Sequence, residues 1–460
     1  MPRPIRLLAV FCTLLSACAL PEQPLPDPEQ PLPDPEQRLP DPEQRLPNIV
    51  LIISDDHAWT DYGFMGHEVI QTPNLDALAR EGMLYPRGYV PTSVCRPSLA
   101  TMITGLFPHE HGITGNDPPN RYDPAQRAMM VEIFEDTKTV SEYLAEKGYV
   151  SHQSGKWWEG RPQDHGFTAG MTHGVLEAGG RHGDEGLKIG REGLQPIFDF
   201  LETTGDSPFF VWYAPLLPHT PHNPPDRLLA KYQIPGQPIE VARYYAMVDW
   251  FDETVGELLG HLDSKGYREN TVVLFVSDNG WVEPVGDQSM ADTRSKLSPH
   301  DAGMRTPIMI RWPGVVEPGW DETTLVGSID LAPTILAAAA IEPPGEMSGL
   351  NLLDTDALAD RNGLFGELFA HTAVDVNDPI ANLKYRYIVR EDGWKLILPY
   401  TPNEDVALMN DGQAADWMHN DVELYNVLSD PHETDNVASA LPQLVEEMTN
   451  TVQQWWEVYE

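Results

Sequence analysis

The sequence has few cysteines and few basic residues. Only 3 of its 460 residues are cysteine, and 30 Lys and Arg stand against 70 Asp and Glu, which gives a formal net charge of -40. Binding to nucleic acid needs rows of Lys and Arg that neutralise phosphates, so this balance argues against a nucleic-acid partner. We interpret the acidic surface as a solubility device. An anionic substrate must therefore be held by a few locally placed cations.

The apolar run near the N-terminus is too short for a permanent transmembrane helix. It covers residues 7–15 and follows Arg3 and Arg6, a pattern typical of an export signal. The next residues, LLSAC, resemble the bacterial lipobox, which implies cleavage after residues 1–17 and lipidation of Cys18. We therefore expect an exported lipoprotein, periplasmic or at the cell surface, that contacts the membrane only through this lipid. The alternative is an ordinary cleaved signal in which Cys18 is incidental.

A proline-rich repeat follows the expected anchor. Within residues 18–47 the triplet PEQ returns every seventh residue, but prolines at this density exclude a coiled coil. A polyproline-type spacer of this length extends roughly 80 Å at about 3.1 Å per residue. We predict that it is a tether. Once Cys12 is removed with the signal and Cys18 is lipidated, Cys95 is the one thiol left in the mature protein.

The folded part begins with a continuous apolar run at residues 49–53, typical of a strand buried on both faces of a parallel sheet. Residues 271–280, TVVLFVSDNG, repeat this plan. Alternating helical and strand patterns between the two predict an α/β fold with a doubly wound, mostly parallel sheet flanked by helices. A hairpin pattern that turns at residues 391–393 predicts a smaller C-terminal α+β domain on an antiparallel sheet. We place the domains at residues 48–343 and 344–460.

Oxygen donors follow two of the predicted strands. Asp55 and Asp56 come after the first, and Asp278 and Asn279 come after the second. Ligands of doubly wound folds bind beyond the carboxyl ends of the strands, and hard oxygen donors favour Ca²⁺ or Mg²⁺ over zinc. Single Asp residues at strand ends often cap helices or close turns instead. Two matched pairs favour a metal site.

Cys95 precedes a predicted helix that carries Pro97 in its first turn, where proline is preferred. The thiol would then face the positive end of the helix, which stabilises anions and could make the thiol a nucleophile. A small buried apolar side chain is the alternative. The local pattern leaves both open.

Several motifs, taken together, resemble those of one family. CRPSLATMITG resembles the signature of the formylglycine-dependent (type I) sulfatases of the alkaline phosphatase superfamily, in which Cys-x-Pro-Ser-Arg precedes a run that ends in Thr-Gly. IISDDH and SDNG resemble the family's metal-binding strand ends, and SGKWW and PLLPHTPH resemble its lysine and histidine motifs. HDAGMRTPIMIRWPG and ELYNVLSDPHETDNVA match further landmarks in the same order. The resemblance covers the chain from about Asn48 to the end.

The resemblance implies that a maturation enzyme oxidises Cys95 to formylglycine, and that one hydroxyl of the hydrated aldehyde attacks the sulfur of a sulfate ester. Lys156 and Lys296 would then bind sulfate oxygens, and His219 would protonate the departing oxygen. The metal would be Ca²⁺ in preference to Mg²⁺. Its implied ligands are Asp55, Asp56, Cys95, Asp278 and Asn279.

Two positions depart from the family pattern and indicate an atypical subgroup. The arginine expected four residues after the cysteine is Leu99, and the histidine expected two residues after Lys156 is Trp158. That arginine normally supports the formylglycine diol and belongs to the pattern recognised during maturation. We expect Arg181 and His182, in a Gly-rich loop region, to contact the substrate. Other polar candidates are Arg96, His109, His111, His173, His222 and His300.

The sequence therefore predicts a sulfatase that acts on sulfate esters, most naturally those of a sulfated carbohydrate. Two alternatives stay open. The first is a single-metal phosphate or phosphonate ester hydrolase on the same fold, since SDNG in place of an Asp-His pair disfavours the two-zinc members. The second is a non-catalytic, surface-tethered protein that binds sulfated glycans, which fits the anchor, the spacer and both departures.

Overall fold

A mixed, mostly parallel sheet lies at the centre of the fold. The computed structural model describes residues 45–173, 185–400, 402 and 420–458, and residues Leu46–Glu460 form one compact unit. The large sheet has the strand order β5-β4-β6-β1-β7-β8-β2-β9. Its strands are β1 (Asn48–Ser54), β2 (Met83–Tyr85), β4 (Val150–Gly155), β5 (Ala169–Gly170), β6 (Phe209–Ala214), β7 (Thr271–Ser277), β8 (Ile308–Arg311) and β9 (Gly319–Trp320).

Helices cover both faces of this sheet, which confirms the predicted doubly wound α/β class. Side chains of α2, α5 and α10 pack on one face, and those of α1, α6 and α8 pack on the other. The helices of the described residues are α1 (Pro73–Glu81), α2 (Cys95–Thr104), α3 (Pro108–His111), α4 (Pro124–Glu135), α5 (Val140–Glu146), α6 (Gln195–Thr203), α7 (Asp226–Tyr232), α8 (Ile239–Ser264), α9 (Asp301–Met304), α10 (Leu331–Ala338), α11 (Thr355–Ala359), α12 (Pro379–Asn382) and α13 (Pro442–Trp455).

Strand β1 shows why a continuous apolar run was needed. Ile49, Leu51 and Ile53 belong to the core on one face of the sheet, while Val50 and Ile52 belong to the core on the other. Successive side chains of a strand point to opposite faces, so a central strand covered on both sides is apolar throughout. The strand pairs in parallel with both β6 and β7.

The sheet contains a local reversal of direction beyond β7. Strand β8 is antiparallel to β7, and β2 is antiparallel to β8. Strand β2 therefore runs in the same direction as β1 and β7, and β9 pairs with it in parallel. A separate two-stranded parallel ladder joins β3 (Gly88–Tyr89) to β10 (Val326–Gly327).

A second, antiparallel sheet lies in the C-terminal part, as predicted. Its strands, in the order β11-β12-β13-β14, are β11 (Gly363–Phe369), β12 (Leu383–Arg390), β13 (Trp394–Pro399) and β14 (Glu423–Asn426). The β12–β13 hairpin turns at the expected residues 391–393, where Gly393 adopts a φ of 87°, a conformation that favours glycine. Met448 and Val452 of α13 pack against this sheet. The domain boundary near residue 343 stays a prediction.

The expected signal, lipidated Cys18 and most of the tether fall on residues 1–44, outside the described residues. Among the residues that are described, no helix combines the length and apolarity needed to cross a membrane.

A buried charge network links the small sheet to α9. Lys395 of β13 is fully buried, and its Nζ lies 2.8 Å from both Asp301 Oδ1 and Glu433 Oε1. Burial alone lowers the pKa of this lysine, but Asp301 and Glu433 outweigh it and raise the pKa. Asp301 opens α9, and Glu433 also accepts a hydrogen bond from the Asp301 backbone N–H at 2.6 Å. The three side chains therefore hold β13 and the segment after β14 against α9, which directly precedes β8 of the large sheet.

We expect Lys395→Met to destabilise the protein by about 3–5 kcal/mol, because it leaves two carboxylates buried without their cation. The midpoint of urea unfolding, followed by circular dichroism, measures this change. Lys147→Met, at an exposed lysine after α5, is the control and should shift the midpoint little. Equal midpoints for the two variants would contradict the importance of the network.

Candidate active site

The carboxyl ends of four parallel strands converge at one edge of the large sheet. Strands β4, β6, β1 and β7 are neighbours in that order, and their ladders are parallel. Lys156 follows β4, Asp55 and Asp56 follow β1, and Asp278 follows β7 directly. His219 lies in the loop after β6. Residues far apart in the chain are therefore brought together by strand direction alone.

Backbone geometry fixes the first of these side chains. Gly155 ends β4 with a φ of 89°, and a Cβ there would lie 1.8 Å from the backbone oxygen of Ala214. Only glycine permits this close approach. The backbone N–H of Lys156 then donates to the same oxygen at 2.7 Å, which sets the lysine against β6.

Asp56 has a left-handed backbone, with a φ of 59°, which is uncommon for a residue other than glycine and is often found at functional sites. Its N–H donates to Asp278 Oδ1 at 3.1 Å, and the N–H of His57 donates to Asn279 O at 3.1 Å. The residues after β7 therefore hold the residues after β1 in place.

Three carboxyls and two lysines form the buried core of the site. Lys156 Nζ lies 2.5 Å from Asp55 Oδ1 and 3.1 Å from Asp278 Oδ2. Lys296 Nζ lies 2.6 Å from Asp56 Oδ1. All five residues are at most 5% exposed. Three carboxylates against two ammonium groups leave one negative charge in excess when all are ionised.

The carboxyls differ in how strongly they hold protons. Burial is the largest influence on each, and it raises the pKa of Asp55 to about 6 and that of Asp278 to about 7 despite Lys156. At Asp56 burial is outweighed by Lys296, His219 and Lys156, so its pKa is lowered. Because the single ammonium group of Lys156 is shared between Asp55 and Asp278, these two carboxyls are the less completely balanced side of the cluster, where a bound cation would add positive charge.

Cys95 is the first residue of α2 and lies inside this cluster. Its side chain is 1% exposed, and its thiol donates to Asn279 Oδ1 at 3.3 Å. Asn279 in turn donates through Nδ2 to Asp56 Oδ1 at 2.7 Å. Burial raises the pKa of the Cys95 thiol to about 12, although Lys156 and Lys296 oppose this. The unmodified side chain is therefore a neutral thiol at neutral pH.

His219 completes the cluster from the loop after β6. Its Nδ1–H donates to Thr220 O at 2.6 Å, and its Nε2 lies 3.4 Å from Asp56 Oδ2. Burial is the main reason that its pKa falls to about 3, with Asp56 acting in the opposite direction. The imidazole is therefore neutral in this structure.

The residues fit a hard divalent cation. Ligand atoms of Asp55, Asp56, Cys95 and His219 all lie within 4.8 Å of one another. Asp55 Oδ2 is buried and has no hydrogen-bond partner among the described residues, as expected for an atom that a metal would coordinate. The two carboxylates of this group favour Ca²⁺ or Mg²⁺, and the amide oxygen of Asn279, which accepts from the Cys95 thiol, is a further hard donor beside them. This group shares Asp55, Asp56 and Cys95 with the predicted ligands and also contains His219. Asp278, another predicted ligand, instead accepts hydrogen bonds from the Asp56 backbone N–H and from Lys156.

Aromatic rings cover both lysines. The ring of Trp158, which replaces the expected histidine, is 8% exposed, and its centroid lies 5.4 Å from Lys156 Nζ. The ring centroid of Trp281 lies 6.0 Å from Lys296 Nζ. These distances permit cation–π attraction. Trp158 therefore supplies an aromatic face where the family pattern has an imidazole.

Leu99 and Arg96 show how the helix departs from the family pattern. Leu99 is 5% exposed and packs in the hydrophobic core. Arg96 turns to Glu159, in the loop that carries Lys156, and donates two hydrogen bonds of 2.7 and 2.6 Å to its carboxylate. This buried pair ties the start of α2 to that loop, so Arg96 is not a substitute for the missing arginine.

Four of the other polar candidates contact residues outside the cluster around Cys95. His109 pairs with Glu367, His111 contacts Thr101 and His300 contacts Glu423. His222 lies 3.3 Å from Glu283, and His173 is exposed. Arg181 and His182 fall in residues 174–184, outside the described part of the chain, so their expected contact with the substrate stays a prediction.

Arg191 supports the histidine loop and was not identified from the sequence. Its guanidinium donates to Leu216 O at 2.9 Å, to His219 O at 2.8 Å and to Asn223 Oδ1 at 2.5 Å. These contacts cross 25 to 32 positions of the chain. Nothing in the local sequence around Arg191 indicates them, because they depend on how two loops fold together.

The fold and the site together define the class of protein. A doubly wound sheet that places a buried cluster of Asp, Lys, His and Cys at the carboxyl end of its strands has the arrangement of the alkaline phosphatase superfamily. The family model named Sulfatase matches residues 47–341, and the model for the C-terminal region of N-sulphoglucosamine sulphohydrolase matches residues 292–457. The chain belongs to the sulfatase family.

Individual relatives agree with this assignment. N-acetylgalactosamine-6-sulfatase of Rattus norvegicus is 32% identical over 350 residues, 67% of this chain and 65% of the relative, so the chain spans just under two thirds of that protein. N-sulphoglucosamine sulphohydrolase of Homo sapiens is 26% identical over 493 residues, 90% of each chain. The crystal structure of Ps i-CgsB in complex with k-i-k-neocarrahexaose has a TM-score of 0.69 at 23% identity, covering 90% of this chain and 93% of that one, and supports the fold.

We expect Ca²⁺ to raise the thermal midpoint of the protein, because a cation that binds only the folded site stabilises it by about 2.7 kcal/mol at one hundred times its Kd. Differential scanning calorimetry with Ca²⁺ and with EDTA measures the shift. Asp55→Asn should remove most of it, while Asp356→Asn, on the exposed side of α11, should retain it. An unchanged shift in Asp55→Asn would exclude this metal site.

Proposed function

We propose that the protein is a sulfatase that hydrolyses sulfate esters of a sulfated glycan, with a formylglycine made from Cys95 and a bound Ca²⁺. The observation that carries the proposal is the position of Cys95, buried against Asn279 and close to Lys156, Lys296 and three aspartates, Asp55, Asp56 and Asp278. A sulfate group brings negative oxygens, and the two lysines are the cations that can hold them. The family assignment supports the reaction class.

An unmodified thiol is poorly suited to the reaction in this site. The pKa of Cys95 is raised to about 12 by burial, and the thiolate is the nucleophilic form of cysteine. Oxidation to formylglycine would replace the thiol by a hydrated aldehyde whose hydroxyl can act as the nucleophile, and Ca²⁺ held by Asp55, Asp56, Asp278 and Asn279 would stabilise charge on the sulfate.

Lys156 and Lys296 bind the sulfate group in this proposal. Burial lowers the pKa of each lysine, but the neighbouring carboxylates outweigh it and raise the pKa, so both lysines stay protonated. Lys156 comes from the end of β4 and Lys296 from the segment before α9. The first contacts Asp55 and Asp278, and the second contacts Asp56. Fixed cations in a water-poor site stabilise developing negative charge strongly.

His219 protonates the departing oxygen. Its Nδ1–H is held by Thr220 O, so Nε2, which faces Asp56, is the nitrogen that carries the transferred proton. The imidazole must first gain that proton, and an anionic substrate beside it favours the charged form. Arg191 acts as a positioning residue, because it fixes the backbone oxygen of His219.

A sulfated carbohydrate is the substrate class that the relatives support. N-acetylgalactosamine-6-sulfatase and N-sulphoglucosamine sulphohydrolase are named for sulfated amino sugars. Export as a lipoprotein anchored by Cys18, with residues 18–47 as a tether, is part of the proposal and fits a polymer substrate outside the cell. Maturation of Cys95 requires a formylglycine-generating enzyme that accepts Leu99 in place of the usual arginine.

We expect protein made with such a maturation enzyme to carry formylglycine at position 95 and to release sulfate. The test measures the mass of the peptide that contains Cys95, together with turnover of 4-nitrophenyl sulfate, N-acetylgalactosamine 6-sulfate, and hexasaccharides of chondroitin 6-sulfate and ι-carrageenan. Cys95→Ala should lose activity on all of them.

Three outcomes would contradict the proposal. Equal turnover by Cys95→Ala would show that another group is the nucleophile. Faster turnover of the matching phosphate or phosphonate esters would identify the hydrolase alternative. Tight binding of the sulfated hexasaccharides by matured protein without sulfate release would identify a binding protein.

We expect His219→Ala to slow hydrolysis of the sugar sulfate by about 10²-fold or more, in the range of lost general acid catalysis. The rate on 4-nitrophenyl sulfate should fall much less, because nitrophenolate leaves without a proton. His261→Ala, at the far end of α8, is the matched control. Equal losses on both substrates would mean that His219 binds sulfate but does not act as the acid.

A further inference from the structure

A cleft separate from the cluster around Cys95 lies at the carboxyl edge of the large sheet. Its volume is about 480 Å³, and its lining includes Trp59, Arg87, Arg305, Trp320 and Leu428. We call it the distal cleft. None of these residues belongs to the cluster around Cys95.

Strand directions place the distal cleft on the same side of the sheet as that cluster. Strand β2 runs parallel to β7, and β9 runs parallel to β2. Arg87 follows β2 and Trp320 ends β9, so both lie at the end of the sheet where Asp278 follows β7. Strand β2 is two positions from β7, which corresponds to about 10 Å along the edge.

Backbone hydrogen bonds fix the distal cleft relative to the cluster. The His57 N–H donates to Asn279 O at 3.1 Å, two residues before Trp59. The Gly280 N–H donates to Gly303 O at 2.8 Å, two residues before Arg305. One wall of the cleft thus extends directly from the segments that carry the predicted metal ligands.

Arg305 and Trp59 form this inner wall. The guanidinium carbon lies 3.9 Å from the centroid of the Trp59 ring, a stacked cation–π contact. Among the described residues its only side-chain hydrogen bond runs from Nε to Pro86 O at 3.1 Å. Nη1 also lies 3.9 Å from Asp301 Oδ2, which is an ion pair but too long for a hydrogen bond, so the Nη–H groups keep donor capacity for a ligand. Arg87 differs, because its guanidinium donates to backbone oxygens of residues 322, 323, 390 and 391 and joins the two loops that border the cleft.

The outer wall presents an exposed indole. Trp320 is 48% exposed and Leu428 is 55% exposed, although large apolar side chains are favoured in the interior. Trp320 Nε1–H donates to Glu322 Oε1 at 2.8 Å, which fixes the ring and leaves the second carboxylate oxygen as an acceptor. An aromatic face beside a carboxylate and a guanidinium matches a ring with apolar C–H faces and hydroxyls at its edge.

We propose that the distal cleft binds a pyranose unit of the glycan chain, away from the sulfated unit held at Cys95. The sugar stacks on Trp320, and Arg305 and Glu322 bond to its hydroxyls. A wholly apolar ligand would bury these two charged groups without partners, which is costly. The proposal rests on the proposed sulfatase function and deepens it: the substrate is an oligosaccharide or polysaccharide, and not a sulfated monosaccharide.

The test compares a long and a short substrate of the same chemistry. The long substrate is the hexasaccharide, of chondroitin 6-sulfate or of ι-carrageenan, that the parent hydrolyses better. The short substrate is the sulfated monosaccharide that it contains, and the kcat/KM values of the two are compared. We expect the parent to prefer the hexasaccharide, and Trp320→Ala to lower this preference roughly tenfold through the KM of the hexasaccharide. Trp320→Tyr should restore most of it. Val315→Ala, at an exposed position outside the cleft, should leave both substrates unchanged.

Failure of the distal cleft can be separated from failure of the sulfatase function. Sulfate release without preference for the hexasaccharide, or an equal loss on both substrates in Trp320→Ala, overturns the cleft proposal alone. If no sulfate ester is hydrolysed, the proposed function fails, and calorimetric titration with the same hexasaccharides decides the cleft. If the parent binds the hexasaccharides and Trp320→Ala binds them about tenfold more weakly, the cleft proposal is supported. If the parent does not bind them, or if Trp320→Ala binds them equally well, the cleft proposal is overturned.

Discussion

The site depends on one electrostatic constraint: three carboxyls are buried at the same edge of the sheet with only two lysines to balance them. Burying charge is costly unless it is paired, so Lys156 and Lys296 are as much a condition of the fold as candidates for binding sulfate. The excess of carboxyls favours a bound cation, and burial, with a smaller contribution from the neighbouring carboxyls, raises the pKa values of Asp55 and Asp278.

Much of this arrangement was predictable from the sequence. Runs such as residues 49–53 are apolar at every position, because helices cover both faces of the strand. The rule that ligands bind at the carboxyl ends of parallel strands then places the oxygen donors after β1 and β7 together. The antiparallel C-terminal sheet was equally accessible, since the β12–β13 hairpin has local strand and turn signals.

Other features required the folded chain, because they join segments with no local sequence relation. The pairing of Arg96 with Glu159 and the contacts of Arg191 with the loop of His219 depend on how loops pack. The sequence could mark Leu99 and Trp158 as departures but not what they contact. The structure shows Leu99 in the core and Trp158 beside Lys156. The local reversal at β8 was also not predicted.

The burial of Cys95 has a consequence for the order of events in the life of the protein. A side chain that is 1% exposed and sealed at the start of α2 cannot be reached by another enzyme once α2 has packed. Under the proposed function, conversion of this residue to formylglycine would therefore take place on the nascent or unfolded chain, before folding is complete. The supply of matured protein would then be set by a kinetic competition between modification and folding, in which molecules that fold first keep the unmodified thiol.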